Sequence, residues 1–259
     1  MGAVPQPHVI VTRPAGQAQP WLQGLQALGV RADAFALLDI APLPDPGVLA
    51  PVLALWPDLH AVMFVSANAV QHFMRQAQVR PQPCQQAWAT GPGTVAALVQ
   101  AGWPMAQIVS PCADSTHWDS EALWAVAQAQ VHAGQQVLIV RGADEQVQMQ
   151  GRDWLAQKLV AAGVQVHACA AYVRQAPQHT PAQWAQARQW LEQGSWWLFS
   201  SSQAARVWAK ACPDWPWLQG RALVTHPRIA QQVRELGWVR VQLMPAELER
   251  WGESIECLT

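Results

Sequence analysis

The sequence predicts an α/β protein of two similar parallel-sheet domains, and three observations carry that prediction. Apolar runs of strand length alternate with amphipathic runs of helix length along the 259 residues, the pattern of parallel sheets with helices on both faces. A strand-to-helix junction recurs: Phe64-Val65-Ser66-Ala67-Asn68-Ala69-Val70 lines up with Phe199-Ser200-Ser201-Ser202-Gln203-Ala204-Ala205 at an offset of 135 residues. The offset persists, setting Thr90-Gly91-Pro92-Gly93-Thr94-Val95 against Thr225-His226-Pro227-Arg228-Ile229-Ala230 and Gly102-Trp103 against Gly237-Trp238. At a slightly different offset, Val9-Ile10-Val11-Thr12-Arg13-Pro14 echoes Val137-Leu138-Ile139-Val140-Arg141-Gly142. A repeat this long marks paired domains, not a solenoid.

Each element follows from local chemistry. Residues 9–13 form a first strand, and Pro14-Ala15-Gly16-Gln17 turns it into a helix that glycine closes at Leu28-Gly29. Residues 31–43 are one long extended stretch, followed by a proline-punctuated segment from Pro42 to Pro51. A helix near 47–55 precedes strand 61–66, helix 68–77, strand 86–90, helix 93–101 and a short strand at 106–110. Asp119-Ser120-Glu121 opens the next helix with a capping pattern. Strand 136–141 leads to a polar loop over 142–151, then a helix to Ala162-Gly163 and a second long extended stretch at 164–176. Helix 181–192, strand 196–200, helix 203–210, strand 221–225, helix 227–236, strand 239–243 and a C-terminal helix near 246–256 complete the chain.

Composition excludes several classes. With 51% hydrophobic and 13% charged residues the chain is an ordinary globular protein. A net charge of -1 with no Lys/Arg block argues against nucleic acid as a partner. No apolar run reaches membrane-spanning length and no export signal opens the sequence, so the expected location is cytoplasmic. The five cysteines, at 84, 112, 169, 212 and 257, form no CxxC pair and are expected to be free thiols. The histidines lack metal-ligand spacing, so no metal site is expected. The 16 tryptophans are dispersed, and Trp21, Trp124, Trp154, Trp184 and Trp208 fit packing positions on helices.

No Walker A, GxGxxG, HExxH or GxSxG motif is present. Polar residues instead gather where strands give way to helices: Arg13, Ser66, Asn68, Thr90, Gly91, Thr94, Arg141, Ser200, Ser201, Ser202, Thr225, His226 and Arg228. Ligands of parallel sheets bind beyond the carboxyl ends of the strands. Helix starts there offer unpaired N–H groups and the positive end of a dipole, which suits an anion. A serine in that position also serves as a plain helix cap. Tyr172, the only tyrosine, lies on the second extended stretch, where it is either a half-buried packing residue or a proton donor, since a phenol stays protonated at neutral pH.

The ordered set Val11-Thr12-Arg13-Pro14, Phe64-Val65-Ser66-Ala67-Asn68, Gly91-Pro92-Gly93-Thr94, Val140-Arg141-Gly142, Ala171-Tyr172-Val173-Arg174, Phe199-Ser200-Ser201-Ser202 and His226-Pro227-Arg228-Ile229-Ala230 resembles the uroporphyrinogen-III synthase family over nearly the whole chain. The resemblance implies two flavodoxin-like domains joined by a two-stranded linker. The domains would be residues 1–36 with 176–259, and 44–168; linker strands at 37–43 and 169–175 would carry the chain across. It implies cyclisation of hydroxymethylbilane to uroporphyrinogen III, with loss of water and inversion of the terminal ring, and no cofactor or metal. Tyr172 matches a family tyrosine suspected of assisting loss of hydroxide, and Thr94 a family threonine of the cleft. Where relatives carry Gly-Pro-Thr-Thr, this chain has His226-Pro227-Arg228-Ile229, which removes hydroxyls and adds cations. Ser201-Ser202 likewise replaces part of a Ser-Pro-Ser pattern.

Expected partners are the small-molecule substrate and a transient contact with hydroxymethylbilane synthase, the protein itself being a monomer. A binding protein of the same shape, or an inactive relative holding a small polyanion, is the alternative. A nucleotide-using transferase would need a phosphate-binding cluster that the sequence lacks. Two thin crossings also predict opening and closing of the domains.

Overall fold

In the computed structural model the chain divides into two compact units, one of residues 1–39 with 176–259, the other of residues 40–175. The structure describes residues 6–112, 115, 118–149, 153–212, 214–215, 220–245, 248–252 and 255.

The first unit holds a five-stranded sheet. Strand β1 (His8–Val11) runs into helix α1 (Ala15–Ala27), which returns to β2 (Arg31–Ala34). The second unit supplies β3 (Asp39–Pro42), α2 (Ala50–Ala54), β4 (Ala61–Phe64), α3 (Ala67–Ala77), β5 (Gln86–Ala89), α4 (Pro92–Gln100), β6 (Ile108–Val109), α5 (Ser120–Ala127), β7 (Gln136–Ala143), α6 (Trp154–Ala161) and β8 (Gln165–Gln175). The chain then re-enters the first unit with α7 (Pro181–Glu192), β9 (Trp196–Phe199), α8 (Ser202–Ala211), β10 (Arg221–Val224), α9 (Pro227–Glu235) and β11 (Arg240–Leu243).

Sheet order in the first unit is β11-β10-β9-β1-β2, and in the second β3-β8-β7-β4-β5-β6, with parallel registers throughout the first and from β8 to β6 in the second. Counted along its own unit, the first sheet has the 2-1-3-4-5 order of doubly wound flavodoxin-like folds. The second has the same order when counted from β7, with β3 added outside β8. The two therefore share one plan, begun at different points of the chain. Strands β4 and β9 begin 135 residues apart, as do β5 and β10 and helices α3 and α8 or α4 and α9, so the repeated sequence is a repeated structure.

Central strands form because their side chains are apolar on both faces. Ala61–Phe64 and Trp196–Phe199 are buried at every position, which a strand covered by helices on both sides requires. Each core draws on one unit. Phe35, Leu37, Leu38, Trp197, Phe199 and Trp208 pack together in the first, with Trp197 and Trp208 ring centroids 4.1 Å apart. Val62, Phe64, Phe73, Leu98, Trp103 and Leu138 pack in the second. The tryptophans at 21, 184 and 208 serve as packing, as expected, and Trp124 and Trp154 sit partly buried against the second unit's other core.

Several elements depart from the sequence expectation. The stretch 31–43 is two strands in two sheets, because Phe35, Leu37 and Leu38 leave the extended ladder to fill the first core. The proposed helix near 47–55 is a 3-10 turn, Pro46–Leu49, followed by the five-residue α2, and Asp45 caps it through Gly47 N–H. The strand at 106–110 shrinks to Ile108–Val109 behind a 3-10 turn at Met105–Gln107. Strand β7 runs through Gly142 to Ala143, so the polar loop begins later, and its last residues lie outside the described ones. Of the C-terminal helix near 246–256, Leu248–Arg250 form a 3-10 turn and much of the rest lies outside the described residues, as does Cys257. Cys84, Cys112, Cys169 and Cys212 are free, and burial pushes the Cys169 thiol up to about 12 and Cys212 to about 11, which makes both inert.

Candidate active site

The candidate residues fall at the carboxyl ends of the parallel strands of their own unit, flanking the place where strand order reverses. In the first unit that place lies between β1 and β9. Arg13 follows β1, Ser200–Ser202 follow β9, and Thr225, His226 and Arg228 follow β10. In the second it lies between β7 and β4. Arg141 is on β7, Ser66 and Asn68 follow β4, and Thr90, Gly91 and Thr94 follow β5.

Helix starts occupy both edges. Ser66 caps α3, its hydroxyl accepting from Ala69 N–H at 3.2 Å, and Ser201 caps α8 by accepting from Gln203 N–H at 3.2 Å. His226 caps α9 through Nδ1, which accepts from Arg228 N–H at 3.1 Å. Gly91 stands at the start of α4 with Pro92 at its first turn and no side-chain cap, and its carbonyl accepts from the Thr94 and Val95 N–H groups. Serine capping and anion binding thus share one geometry: a cap satisfies one N–H and leaves its neighbours outward. Ser202 Oγ is buried without a partner among the described residues. A hollow of about 390 Å³ lined by Ser202, Arg206, Arg228 and Gln232 opens between α8 and α9. In the second unit an apolar hollow of about 610 Å³ lies along α4, lined by Pro92, Val95, Val99 and Trp118 among others.

Arg13 is half-buried, with its guanidinium carbon 4.6 Å from the Trp21 ring centroid and Nε without a partner among the described residues. Burial lowers its pKa, so this cation is poorly solvated and suits an anionic partner. Arg141 differs. It is 6% exposed and donates from Nη1 to Asp153 Oδ1 at 2.9 Å, so its charge is already matched. Thr94 is buried on α4.

Tyr172 and Ser66 are brought together. The phenol and Ser66 Oγ are 3.4 Å apart, and Arg174 Nη2 donates to the phenol oxygen at 3.0 Å. Tyr172 is 1% exposed, so it is packed more deeply than the half-buried alternative expects, and its hydroxyl is polar-bonded. Arg174 and Gly142 belong to motifs quoted above but carry no expected role there, and Asp153 is not among the candidates, although a glycine inside a strand is a signal of a bulge or close approach.

A second polar group sits at the opposite ends of the strands. His8 Nδ1 pairs with Ser195 Oγ at 2.9 Å and Nε2 with Asp33 Oδ2 at 2.8 Å. Ser195 is 4% exposed and the imidazole packs edge-on against Trp190, so the group braces β1, β2 and the start of β9. Among the described residues no cluster of three or more His, Cys, Asp or Glu could hold a metal ion. No helix among them is long and apolar enough to cross a membrane.

The family model described as uroporphyrinogen-III synthase HemD matches residues 19–248, both units and every strand-to-helix junction beyond the first. The chain belongs to the uroporphyrinogen-III synthase family. The uroporphyrinogen-III synthase of Salmonella typhimurium is 29% identical over 249 residues, covering 91% of this chain and 94% of its own. That of Escherichia coli is 28% identical over 244 residues, with coverage of 91% and 94%. Two solved synthases share the fold. A mutant form from Thermus thermophilus superposes with a TM-score of 0.59 at 15% identity, covering 97% of this chain and 98% of that one. The Helicobacter pylori enzyme gives 0.59 at 13%, with 98% and 100% coverage. In this family member the paired α/β units, parallel sheets and twice-crossing chain are therefore the family's architecture.

Proposed function

We propose that the protein is a uroporphyrinogen-III synthase of tetrapyrrole (haem) biosynthesis, converting linear hydroxymethylbilane to the cyclic product with inversion of the terminal pyrrole and loss of water. The observation that carries this is the lone phenol, Tyr172, polar-bonded beside the Ser66 helix start in a chain of this family. Loss of hydroxide leaves an electron-poor azafulvene. The terminal ring attacks through its already substituted carbon, and the resulting spiro-pyrrolenine opens and recloses with that ring turned. Because the bilane also closes unaided without inversion, the protein's work is mainly to impose geometry. Helix starts at Ser66, Gly91, Ser201 and His226, with Arg13, Arg228 and the remaining candidates, are suited to hold the many carboxylates of the bilane. Tyr172 assists departure of hydroxide. No cofactor enters this scheme. In this reading the protein works as a cytoplasmic monomer that takes its substrate in transient contact with hydroxymethylbilane synthase.

A coupled assay tests it. Hydroxymethylbilane is generated in situ by its own synthase, the protein is added, and the oxidised uroporphyrin isomers are separated. Isomer III in excess supports the reading. Isomer I alone, from protein shown to be folded, would overturn it in favour of a relative that binds without catalysing.

A further inference from the structure

The Tyr172 side chain is aimed by the pairing of β7 with β8 and by two motif residues, Gly142 and Arg174, to which the motifs assign no role. Between Arg141 and Gly142 the register of β7 against β8 slips, so that Arg141 pairs with Ala170 and Gly142 with Tyr172. Such a bulge re-aims the side chains beyond it. Gly142 gives the ring its room: a Cβ there would lie 2.5 Å from Cζ and 2.8 Å from the phenol oxygen of Tyr172. Two residues along β8, Arg174 donates to that oxygen at 3.0 Å, with its guanidinium carbon 5.5 Å from the ring centroid. Ser66 Oγ stands on the other side at 3.4 Å.

An arginine only donates. The phenol oxygen therefore accepts from Arg174, and its own proton is left for another acceptor. Ser66 Oγ is that acceptor within reach, and Ser66 is half-buried where Tyr172 is sealed.

Resting on the reaction proposed above, we infer that Arg174 is a positioning residue for Tyr172 and that the phenol's proton reaches the substrate through Ser66. As the C–O bond of the hydroxymethyl group breaks, its electron pair leaves with oxygen, which takes the Ser66 Oγ proton and departs as water. Ser66 takes the proton of Tyr172, and the phenolate is held by the Arg174 guanidinium in a charge-assisted hydrogen bond. The terminal pyrrole gives up one proton at ring closure, and that proton returns by way of Ser66 to Tyr172. One water is lost and the protein ends as it began.

Two further charged or titratable groups lie on elements packed against Tyr172. His72 on α3 lies with its ring centroid 5.6 Å from that of Tyr172, and burial, then Arg75, disfavours its charged form. Arg141 on β7 is committed to Asp153.

A double-mutant cycle decides the matter. In the coupled assay Arg174→Gln is expected to lower kcat about tenfold with KM nearly unchanged, and Arg174→Lys to recover much of the loss. In a Tyr172→Phe background Arg174→Gln should change nothing further, and Ser66→Thr, which keeps the hydroxyl, should retain activity that Ser66→Ala loses. Losses from Tyr172→Phe and Arg174→Gln that multiply independently would overturn the inference. A second readout needs no turnover. Tyr172 is the only tyrosine, so protein labelled with ¹³C at tyrosine Cζ gives one resonance. Arg174→Gln should move that resonance and Arg174→Lys move it less; an unmoved signal would also overturn the positioning role. A parent protein that makes no isomer III would refute the reaction, whereas the Cζ signal would still decide whether Arg174 holds the phenol.

Discussion

At the scale of single residues the polar groups divide by how they are paid in partners. Arg141 has its carboxylate, Asp153, whereas Arg13 lies over Trp21 with no ion pair among the described residues. Under the proposed reaction, Arg13→Ala is therefore expected to raise the KM for the bilane about tenfold, and Arg13→Lys to recover little, because a lysine cannot both stack on the indole and offer a planar fork. Steady-state kinetics would show it; an unchanged KM would remove Arg13 from binding. Tyr172→Phe should lower kcat about tenfold to a hundredfold while isomer III remains the product, since orientation carries most of the effect. Full activity in that variant would end the proton-donor role. Three histidines make stability fall toward acid. Burial is the first cause lowering the pKa of His8, His60 and His72 from 6.5, and it outweighs the hydrogen bond to Asp33 that raises His8. A lowered folded-state value means that the unfolded chain binds the proton first. Stability is therefore full above 6.5 and is lost as pH falls below it toward the folded-state values. The melting temperature should drop between pH 7 and 5, and His72→Gln should flatten the curve; a flat profile in the parent would contradict the assignment. None of these pairings was legible in the sequence. Arg141 looked like any other strand-end cation, and Asp153 sits twelve residues beyond it, at the start of α6, a separation from which no pairing can be read.

At the scale of elements the legible parts were those with an unambiguous apolar run and a capping residue behind it. Strands β4, β5, β9 and β10, with α3, α4, α8 and α9, fall within a residue or two of their expected bounds, because burial on both faces and a Ser, Gly or His at the turn leave little choice. The stretch 31–43 misled because Phe35, Leu37 and Leu38 are as apolar as a strand's residues but serve a core. Strand β6, two residues long, falls below what alternation can signal. The bulge at Gly142 was missed because it depends on the register of two strands, which only their pairing reveals. The caps can be separated from binding. Ser201→Ala should cost about 1 kcal/mol of stability and Ser201→Gly only a few tenths, as lost caps do. If the helix start also holds a carboxylate, Ser201→Gly should keep most of the affinity supplied by backbone N–H groups, which thermal melts and KM together would report.

At the scale of the whole molecule, the unit of residues 40–175 is continuous and the other is assembled from both ends of the chain. Each core cluster takes its buried residues from one unit. A fragment of residues 40–175 should therefore melt cooperatively alone, while residues 176–259 should stay unfolded without β1 and β2, since β9 would lose the neighbour that covers one edge. Circular dichroism of the two fragments checks this, and an unfolded 40–175 fragment would refute it. The repeat has a different partition. Its first copy runs from β1 to β6 and its second from β7 to β11, yet β1 pairs with β9 and carries β2 on its far side, while β7 pairs with β4 and carries β8 on its far side. Neither copy completes a sheet from its own strands. Each lends its opening βαβ hairpin to the strands of the other, as two subunits do when they exchange arms, except that here both partners are covalently one chain. Two copies tethered in this way meet at an effective concentration that no mixture of separate halves could reach, and the exchange needs no dimer to sustain it.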